Sequence, residues 1–67
     1  MPKREWFIHH RKQKGLTQQG LVERIAPRYS MTRQHISAIE RGLTNPSVKL
    51  AKVLGEELGF NWVQFFE

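Results

Sequence analysis

The residue types best suited to specific hydrogen bonding are gathered in one segment, from Thr32 to Gly42. In a helix, at about 100° per residue, Ile36 and Ile39 of this segment share one face. The other face carries donors and small residues, namely Arg33 at its edge, Gln34, Ser37, Ala38 and Arg41. Arginine and glutamine side chains can each make two hydrogen bonds to one base edge, and small neighbours allow close approach. This face therefore suits a helix that lies in the major groove of duplex DNA.

Both ends of this helix are marked by residue type. Thr32 can cap the N-terminus through its hydroxyl oxygen, and Gly42 readily takes the left-handed conformation that ends many helices. We therefore predict a short helix over about Arg33–Arg41, anchored to the core by its two isoleucines.

Four polar side chains of this helix have a plain interpretation beside the DNA-binding one. Arg33 is either a solvated charge or, as we favour, a contact to guanine or phosphate. We expect Gln34 to contact adenine or phosphate, because its amide matches the donor and acceptor of an adenine edge. His35 is evenly balanced between a contact and a surface residue. Arg41 is far from the groove-entering end, so we expect it at a phosphate or in solvent.

The composition is that of a small basic domain. The chain has 67 residues and a formal net charge of +5, from 11 Lys and Arg against 6 Asp and Glu, which indicates a polyanion or an anionic surface as partner. It has no cysteine, so packed helices or a partner chain must stabilise it. Without repeats or a linker, residues 1–67 are interpreted as one domain with a loose lead over residues 1–5. No apolar run is long enough for a membrane span or signal peptide, so we expect a cytoplasmic protein.

Helix signals also precede the central segment. Residues 6–14 favour a first helix that Gly15 stops. A second helix is predicted over Leu16–Ile25, with Thr17 as its N-cap. It should close before Pro27, because proline lacks the N–H donor and disfavours helical geometry in the residue before it.

Two further helices are predicted after Gly42. Ser47 follows turn residues and is placed to cap a fourth helix that Gly59 stops. Its apolar side consists of Leu50, Ala51, Leu54 and Leu58. Asn61 begins a last short helix through Phe66. No segment alternates as a strand does, so the predicted fold class is all-α with five helices.

Several of these signals occur together in one spaced pattern. The pattern consists of Leu16-Thr17-Gln18, Leu21, Ile36-Ser37, Ile39-Glu40-Arg41-Gly42 and Asn45-Pro46-Ser47. Over about residues 6–66 the chain resembles the lambda-repressor/Cro-type helix-turn-helix family of bacterial and phage regulators, also called the XRE family. The resemblance implies a compact five-helix domain in which helices 2 and 3 form the DNA-binding motif.

The resemblance also implies roles for individual residues. The base-facing residues would be Arg33, Gln34, His35, Ser37 and Ala38. Gln18 and residues near Asn45 would contact phosphates, and Arg11 would pair with Glu40. Gln18 could also be a plain first-turn residue, but a helix N-terminus with its free N–H groups favours a phosphate.

The chain departs from the family pattern in three places. The turn Ala26–Ser30 is longer than the family's usual turn between helices 2 and 3. Within it, Arg28 is expected at a phosphate, whereas Tyr29 either clamps the backbone or, as we slightly prefer, fills a gap. Gly20 stands where a glutamate usually completes the capping box. His10 replaces a buried leucine and must therefore find a hydrogen-bond partner or stay near the surface.

These observations favour a sequence-specific transcriptional regulator, and we expect a repressor. It would bind duplex DNA as a homodimer, at an inverted-repeat operator, inside a bacterial or phage-infected cell. No cofactor, small-molecule ligand or membrane is expected. A metal site is not expected either, because the neighbouring His9 and His10 of one helix point their rings apart.

Two other classes of protein remain as alternatives. An enzyme is a distant one, because the chain has no Gly-rich phosphate loop, placed carboxylate pair or nucleophile with an evident base. A protein-interaction module, such as an antitoxin or a helical adaptor, would use the terminal aromatics Trp62, Phe65 and Phe66. Such residues are more often core, but a domain of this size cannot easily bury all three. RNA binding ranks lower, because no aromatic stacking platform is spaced along a basic surface.

Overall fold

Four α-helices and one 3-10 helix make up the computed structural model, which describes residues 3–67. The α-helices are α1 (Glu5–Gln13), α2 (Gln18–Ile25), α3 (Arg33–Glu40) and α4 (Val48–Leu58), and the 3-10 helix spans Trp62–Phe66. Residues 3–67 contain no strand. The all-α prediction is confirmed, with the difference that the last of the five predicted helices is a 3-10 turn.

The helix ends lie where short-range capping places them. Threonine or serine hydroxyls cap α2, α3 and α4, each accepting a hydrogen bond from a backbone N–H of the first turn. These bonds run from Gly20 to Thr17 at 2.9 Å, from His35 to Thr32 at 3.2 Å and from Leu50 to Ser47 at 3.1 Å. Gly42 and Gly59 follow α3 and α4 with φ of +75° and +83°, a conformation that costs glycine little.

The core is formed by one apolar side of each helix. The buried apolar residues are Phe7, Leu21, Ile25, Ile36, Ile39, Leu50, Ala51, Val53, Leu54, Leu58 and Phe65. Through them α3 packs against α1 and α2, while α4 packs against α2 and the 3-10 helix. Helix α3 is thereby held from behind, which leaves its polar side free.

A cluster of aromatic rings joins the two ends of the chain. The Trp6 ring lies 5.1 Å from the rings of both Phe60 and Phe65, measured between centroids. The His10 ring lies 5.3 Å from the Phe60 ring, measured between centroids. Because His10 is only half-buried, it stays near the surface. Phe65 belongs to the core, whereas Phe66 is 46% exposed. The terminal aromatics are therefore divided between the core and the surface.

The residues that lead into α1 include Arg4, which contacts the end of α3. Glu5 already belongs to α1, and the backbone N–H of Arg4 donates to the Glu40 carbonyl oxygen at 2.7 Å. Arg4 is thus joined to the distant end of α3, and the loose lead over residues 1–5 stays a prediction. Lys3, which also belongs to the predicted lead, is exposed. The first two residues of that lead, Met1 and Pro2, lie outside the described residues.

Candidate nucleic-acid interface

The polar side of α3 is open to solvent. Ile36 and Ile39 are fully buried, whereas Arg33 and Gln34 are exposed. Five polar side chains line a depression of about 130 Å³ on this side, namely Gln18, Arg33, Gln34, Ser37 and Arg41. The structure thus places Gln18, the predicted phosphate contact of α2, beside three predicted base-facing residues of α3. Arg41, at the C-terminal end of α3, lines the same depression. His35 and Ala38 are half-buried and stand outside this lining.

The charge of this depression is positive. Arg33 and Arg41 contribute two guanidinium groups, and its lining contains no carboxylate. Duplex DNA carries one negative charge per about 1.7 Å of its axis, so such a surface gains affinity by displacing counterions. Gln34 and Ser37 lie between the two arginines and offer neutral hydrogen-bonding groups at the same surface.

A buried ion pair fixes the position of α3 against α1 and α2. Arg11 Nε lies 2.5 Å from Glu40 Oε2, and the two side chains are only 10% and 5% exposed. Arg11 also donates through Nη1 to the Leu16 carbonyl oxygen at 2.8 Å. Gln18 Nε2 donates to Glu40 Oε1 at 3.0 Å, which ties the first residue of α2 to the last residue of α3. One of the two amide hydrogens of Gln18 therefore remains for another acceptor.

The long turn between α2 and α3 is tethered to α4. Arg28 pairs with Glu56 and Glu57, and the hydrogen bond that it donates to Glu56 raises the pKa of Arg28. The Tyr29 hydroxyl lies 3.4 Å from Ser47 Oγ, and its half-buried ring packs against the core, as the gap-filling interpretation requires. The Arg28 guanidinium is thus occupied by carboxylates of α4 and stands outside the depression on α3.

Asn45, a predicted phosphate contact, is exposed in the loop between α3 and α4. Its side-chain oxygen accepts a hydrogen bond from Arg4 Nη2. Arg4 Nη1 donates to the carbonyl oxygens of Ile39 at 2.7 Å and Thr44 at 2.9 Å. Partial burial lowers the pKa of Arg4.

Arg4 is absent from the predicted site residues. Its side-chain partners lie 35 to 41 positions away along the chain, beyond the reach of helix periodicity. One weak signal exists, because the last turn of α3 contains no basic residue to interact with its free carbonyl groups. A larger cavity of about 290 Å³ adjoins Arg4 and Asn45, but aromatic rings and Glu67 also line it, so it lacks the uniform positive charge of the α3 side.

Among residues 3–67, no helix combines the length and apolar character needed to cross a membrane. The family model described as "Helix-turn-helix" matches residues 10–65. No solved structure matches the chain significantly.

Three curated proteins are similar to the chain. The uncharacterized HTH-type transcriptional regulator YqaF of Bacillus subtilis is 41% identical over 64 residues, which are 96% of this chain and 79% of YqaF. An uncharacterized HTH-type transcriptional regulator of Methanothermobacter thermautotrophicus is 46% identical over 50 residues, 75% of this chain and 67% of that protein. The regulator y4dJ of Sinorhizobium fredii, named in the same way, is 36% identical over 58 residues, 87% of this chain and 70% of y4dJ.

The match covers both helices that build the depression, the loop that carries Asn45 and the ion pair behind them. The predicted resemblance is thereby confirmed. The chain belongs to the XRE-type helix-turn-helix family of DNA-binding transcriptional regulators.

Proposed function

We propose that this regulator is a repressor that binds an inverted-repeat operator as a homodimer, inside the cell where its DNA lies. It would act by binding alone, without catalysis. The observation that carries the proposal is the open, carboxylate-free polar side of α3, with Gln18 of α2 at its edge. A protein that occupies a promoter represses by excluding other proteins, so this function needs only a surface that recognises DNA.

In this proposal the base contacts belong to α3. Arg33 and Gln34 are the most exposed candidates, and each can make two hydrogen bonds to a single base edge. His35, Ser37 and Ala38 are half-buried, so they would approach the bases only when α3 lies deep in the groove. Sequence preference should therefore depend most on the first turn of α3.

Phosphate contacts would set the register of α3 in the groove. Gln18 retains an amide hydrogen at the N-terminus of α2, where free backbone N–H groups favour an anion. Arg41 and Asn45 are exposed near the opposite end of α3. Arg28 would have to leave Glu56 and Glu57 to reach DNA, so we expect it to contribute least.

A homodimer matches the symmetry of an inverted repeat. Half-sites read from one side of the duplex lie about 34 to 36 Å apart. The domain extends 28 Å along its longest axis, so two copies can stand side by side at this spacing. The 3-10 helix offers an apolar contact surface, because Phe66 and Val63 are 46% and 37% exposed.

The test begins with selection of bound sites from random duplex DNA, followed by titration of wild type and variants against the selected site and a scrambled one. Gln34→Ala should reduce the preference for the selected site by about tenfold, with little loss of affinity for the scrambled site. Lys49→Ala is the control, because the exposed Lys49 lies on α4 and should affect both sites equally. An unchanged preference in Gln34→Ala would refute base reading by this residue.

The same titration examines the second candidate function, a protein-interaction module that uses Phe66 and Val63. A DNA-binding domain loses affinity steeply as salt concentration rises, because phosphate contacts release counterions. If no duplex binds with this salt dependence, the terminal apolar surface becomes the better candidate for the functional site.

A further inference from the structure

Arg4 lies at a junction between the two ends of the chain and the C-terminal end of α3. Its backbone N–H donates to the Glu40 carbonyl oxygen at 2.7 Å. Its guanidinium donates to the carbonyl oxygens of Ile39 and Thr44 and to the side chain of Asn45. Its Cζ atom also lies 5.4 Å from the centre of the Phe65 ring. One side chain thus contacts the end of α3, the following loop and the 3-10 helix.

The contacts with Ile39 and Thr44 suit the end of a helix. The last carbonyl groups of a helix lack partners within it and form the negative end of its dipole, which a cation stabilises. The last turn of α3 has no basic residue of its own. Arg4 supplies that charge from outside the helix and joins it to the loop at Thr44.

The contact with Asn45 determines how its amide is oriented. A guanidinium has donors only, so the acceptor that faces Arg4 must be the amide oxygen Oδ1. The NH₂ group of Asn45 consequently points away from Arg4. Since Asn45 is exposed, this group is presented outward as a donor beyond the end of α3.

We propose that Arg4 is a positioning residue for DNA binding: it holds the loop after α3 and turns the amide of Asn45 so that its NH₂ group donates to a phosphate. This inference rests on the proposed DNA contacts of Asn45 and extends them to a residue outside the matched range 10–65. In this arrangement Arg4 acts through Asn45 and not by its own contact with DNA, because three of its five guanidinium N–H groups donate within the protein.

A charge-matched pair of variants separates positioning from simple attraction. Arg4→Met and Lys3→Met each remove one positive charge at neighbouring positions, but Lys3 is exposed and stands outside the contacts described here. In titrations of the full chain against the selected duplex, Arg4→Met should lose about fivefold more affinity than Lys3→Met. Equal losses in the two variants would overturn the proposal.

A double-mutant cycle with Asn45 identifies the route of the effect. Asn45→Ala should lose about fivefold in affinity, and Arg4→Met should then cause little further loss in the double variant, because both act on one contact. In the corresponding cycle with Gln18→Ala, the two losses should multiply. If the losses of Arg4→Met and Asn45→Ala also multiply, the proposal is overturned. It is overturned likewise if Arg4→Met shows the same coupling to Asn45→Ala and to Gln18→Ala, because a general weakening of the fold would produce that result.

The dependence on salt distinguishes an indirect role from a direct one. Arg4→Met should leave the slope of log affinity against log salt concentration as it is in Lys3→Met, whereas loss of a direct phosphate contact lowers that slope by about 0.9. Arg4→Lys serves if Arg4→Met folds poorly. Lysine keeps the charge but cannot bridge the carbonyls and the amide as the guanidinium fork does, so it should lose affinity at an unchanged slope. Full affinity in Arg4→Lys, or a lowered slope in Arg4→Met, would contradict positioning.

The outcomes also separate this inference from the proposed function. If wild type binds no duplex in a salt-dependent manner, the proposed function fails and this inference fails with it. If wild type binds and Arg4→Met equals Lys3→Met, only the positioning role of Arg4 is rejected. Circular dichroism of each variant at the titration temperature verifies that the compared proteins are folded.

Discussion

At the scale of single residues, Glu40 is a buried charge that side chains of two other helices hold in place. It is one of two buried charged residues among residues 3–67, and its carboxylate accepts from both Arg11 and Gln18. Removing one partner of a buried ion pair leaves the other charge buried without a counterion, which strongly lowers the free energy of unfolding. Replacing both partners with apolar residues of similar volume, in contrast, often changes that free energy little. The pair therefore serves to specify position more than to add stability.

We expect Glu40→Ala to lower the free energy of unfolding by about 3 to 5 kcal/mol, because Arg11 would stay buried without its counterion. The double variant Arg11→Met/Glu40→Leu should recover most of that loss, since it removes both charges and keeps apolar volume. Urea unfolding followed by circular dichroism measures both values. Lys12→Met is the control, because Lys12 is exposed one position along α1 and its loss should be nearly neutral.

If the double variant does not recover the stability that Glu40→Ala loses, the uncompensated charge of Arg11 is not the cause of that loss. In that case the Gln18 amide, which loses its acceptor in both variants, would be the greater contributor to stability. The DNA affinity of the double variant discriminates further. If Glu40 positions Gln18, that affinity should remain low even where stability has returned.

At the scale of elements, local sequence signals predict where the helices begin and end, but they do not predict the side-chain contacts between one helix or loop and another. Thr17, Thr32 and Ser47 cap their helices through bonds that span three residues, which a sequence pattern contains. The pairs made by Arg4 and Arg28 join residues 28 to 41 positions apart, and no periodicity predicts them. The last helix was predicted in the right place, but capping signals do not distinguish a short α-helix from the 3-10 form.

Gly55 is a case that only the packing of elements explains. A helix interior normally favours alanine over glycine by about 1 kcal/mol. Here, however, a Cβ atom at Gly55 would lie 2.7 Å from the Phe60 carbonyl oxygen and 3.2 Å from the Trp62 backbone nitrogen. Because both are backbone atoms, they cannot move aside by a side-chain rotation. Gly55 therefore permits the segment after α4 to fold closely across that helix.

We expect Gly55→Ala to lower the free energy of unfolding by about 1 to 3 kcal/mol despite its better helix propensity, because overpacking displaces the segment of Phe60 and Trp62. The near-ultraviolet circular dichroism of the tryptophans should change with it. Gly59→Ala is the matched control: its Cβ meets open space, so its cost of about 1 kcal/mol is conformational alone and should leave the tryptophan signal unchanged. A stabilised Gly55→Ala variant would contradict the close approach of that segment.

At the scale of the whole molecule, the charges are distributed so that α3 faces outward with positive charge only. Of the six acidic residues, Glu40 is enclosed by Arg11 and Gln18, while Glu56 and Glu57 are paired with arginines of α2 and the long turn. The depression on α3 retains Arg33 and Arg41 without a carboxylate. Two arginines that are not paired with a carboxylate, in a chain with a net charge of +5, thus lie on the side proposed to meet DNA.

The surface of the 3-10 helix is the other feature that acts at this scale. Phe66 and Val63 are exposed, and the half-buried Trp62 lies 6.1 Å from the Phe66 ring between centroids. Apolar side chains grouped in this way gain free energy when a second molecule covers them. A second copy of the chain would bring a second α3 to the neighbouring half-site.

We expect Phe66→Ser to preserve the fold, because this side chain is 46% exposed, and to convert two-copy binding on an inverted repeat into weaker one-copy binding. Light scattering after size-exclusion chromatography, with and without the duplex, measures the stoichiometry. Val48→Ser is the control, since Val48 is an exposed apolar residue at the other end of α4 and should leave two copies bound. Two copies of Phe66→Ser bound at wild-type affinity would exclude the 3-10 helix as the dimer contact. One copy of wild type on the full repeat would instead reject the homodimer itself, because the symmetry of the site would then have no counterpart in the protein.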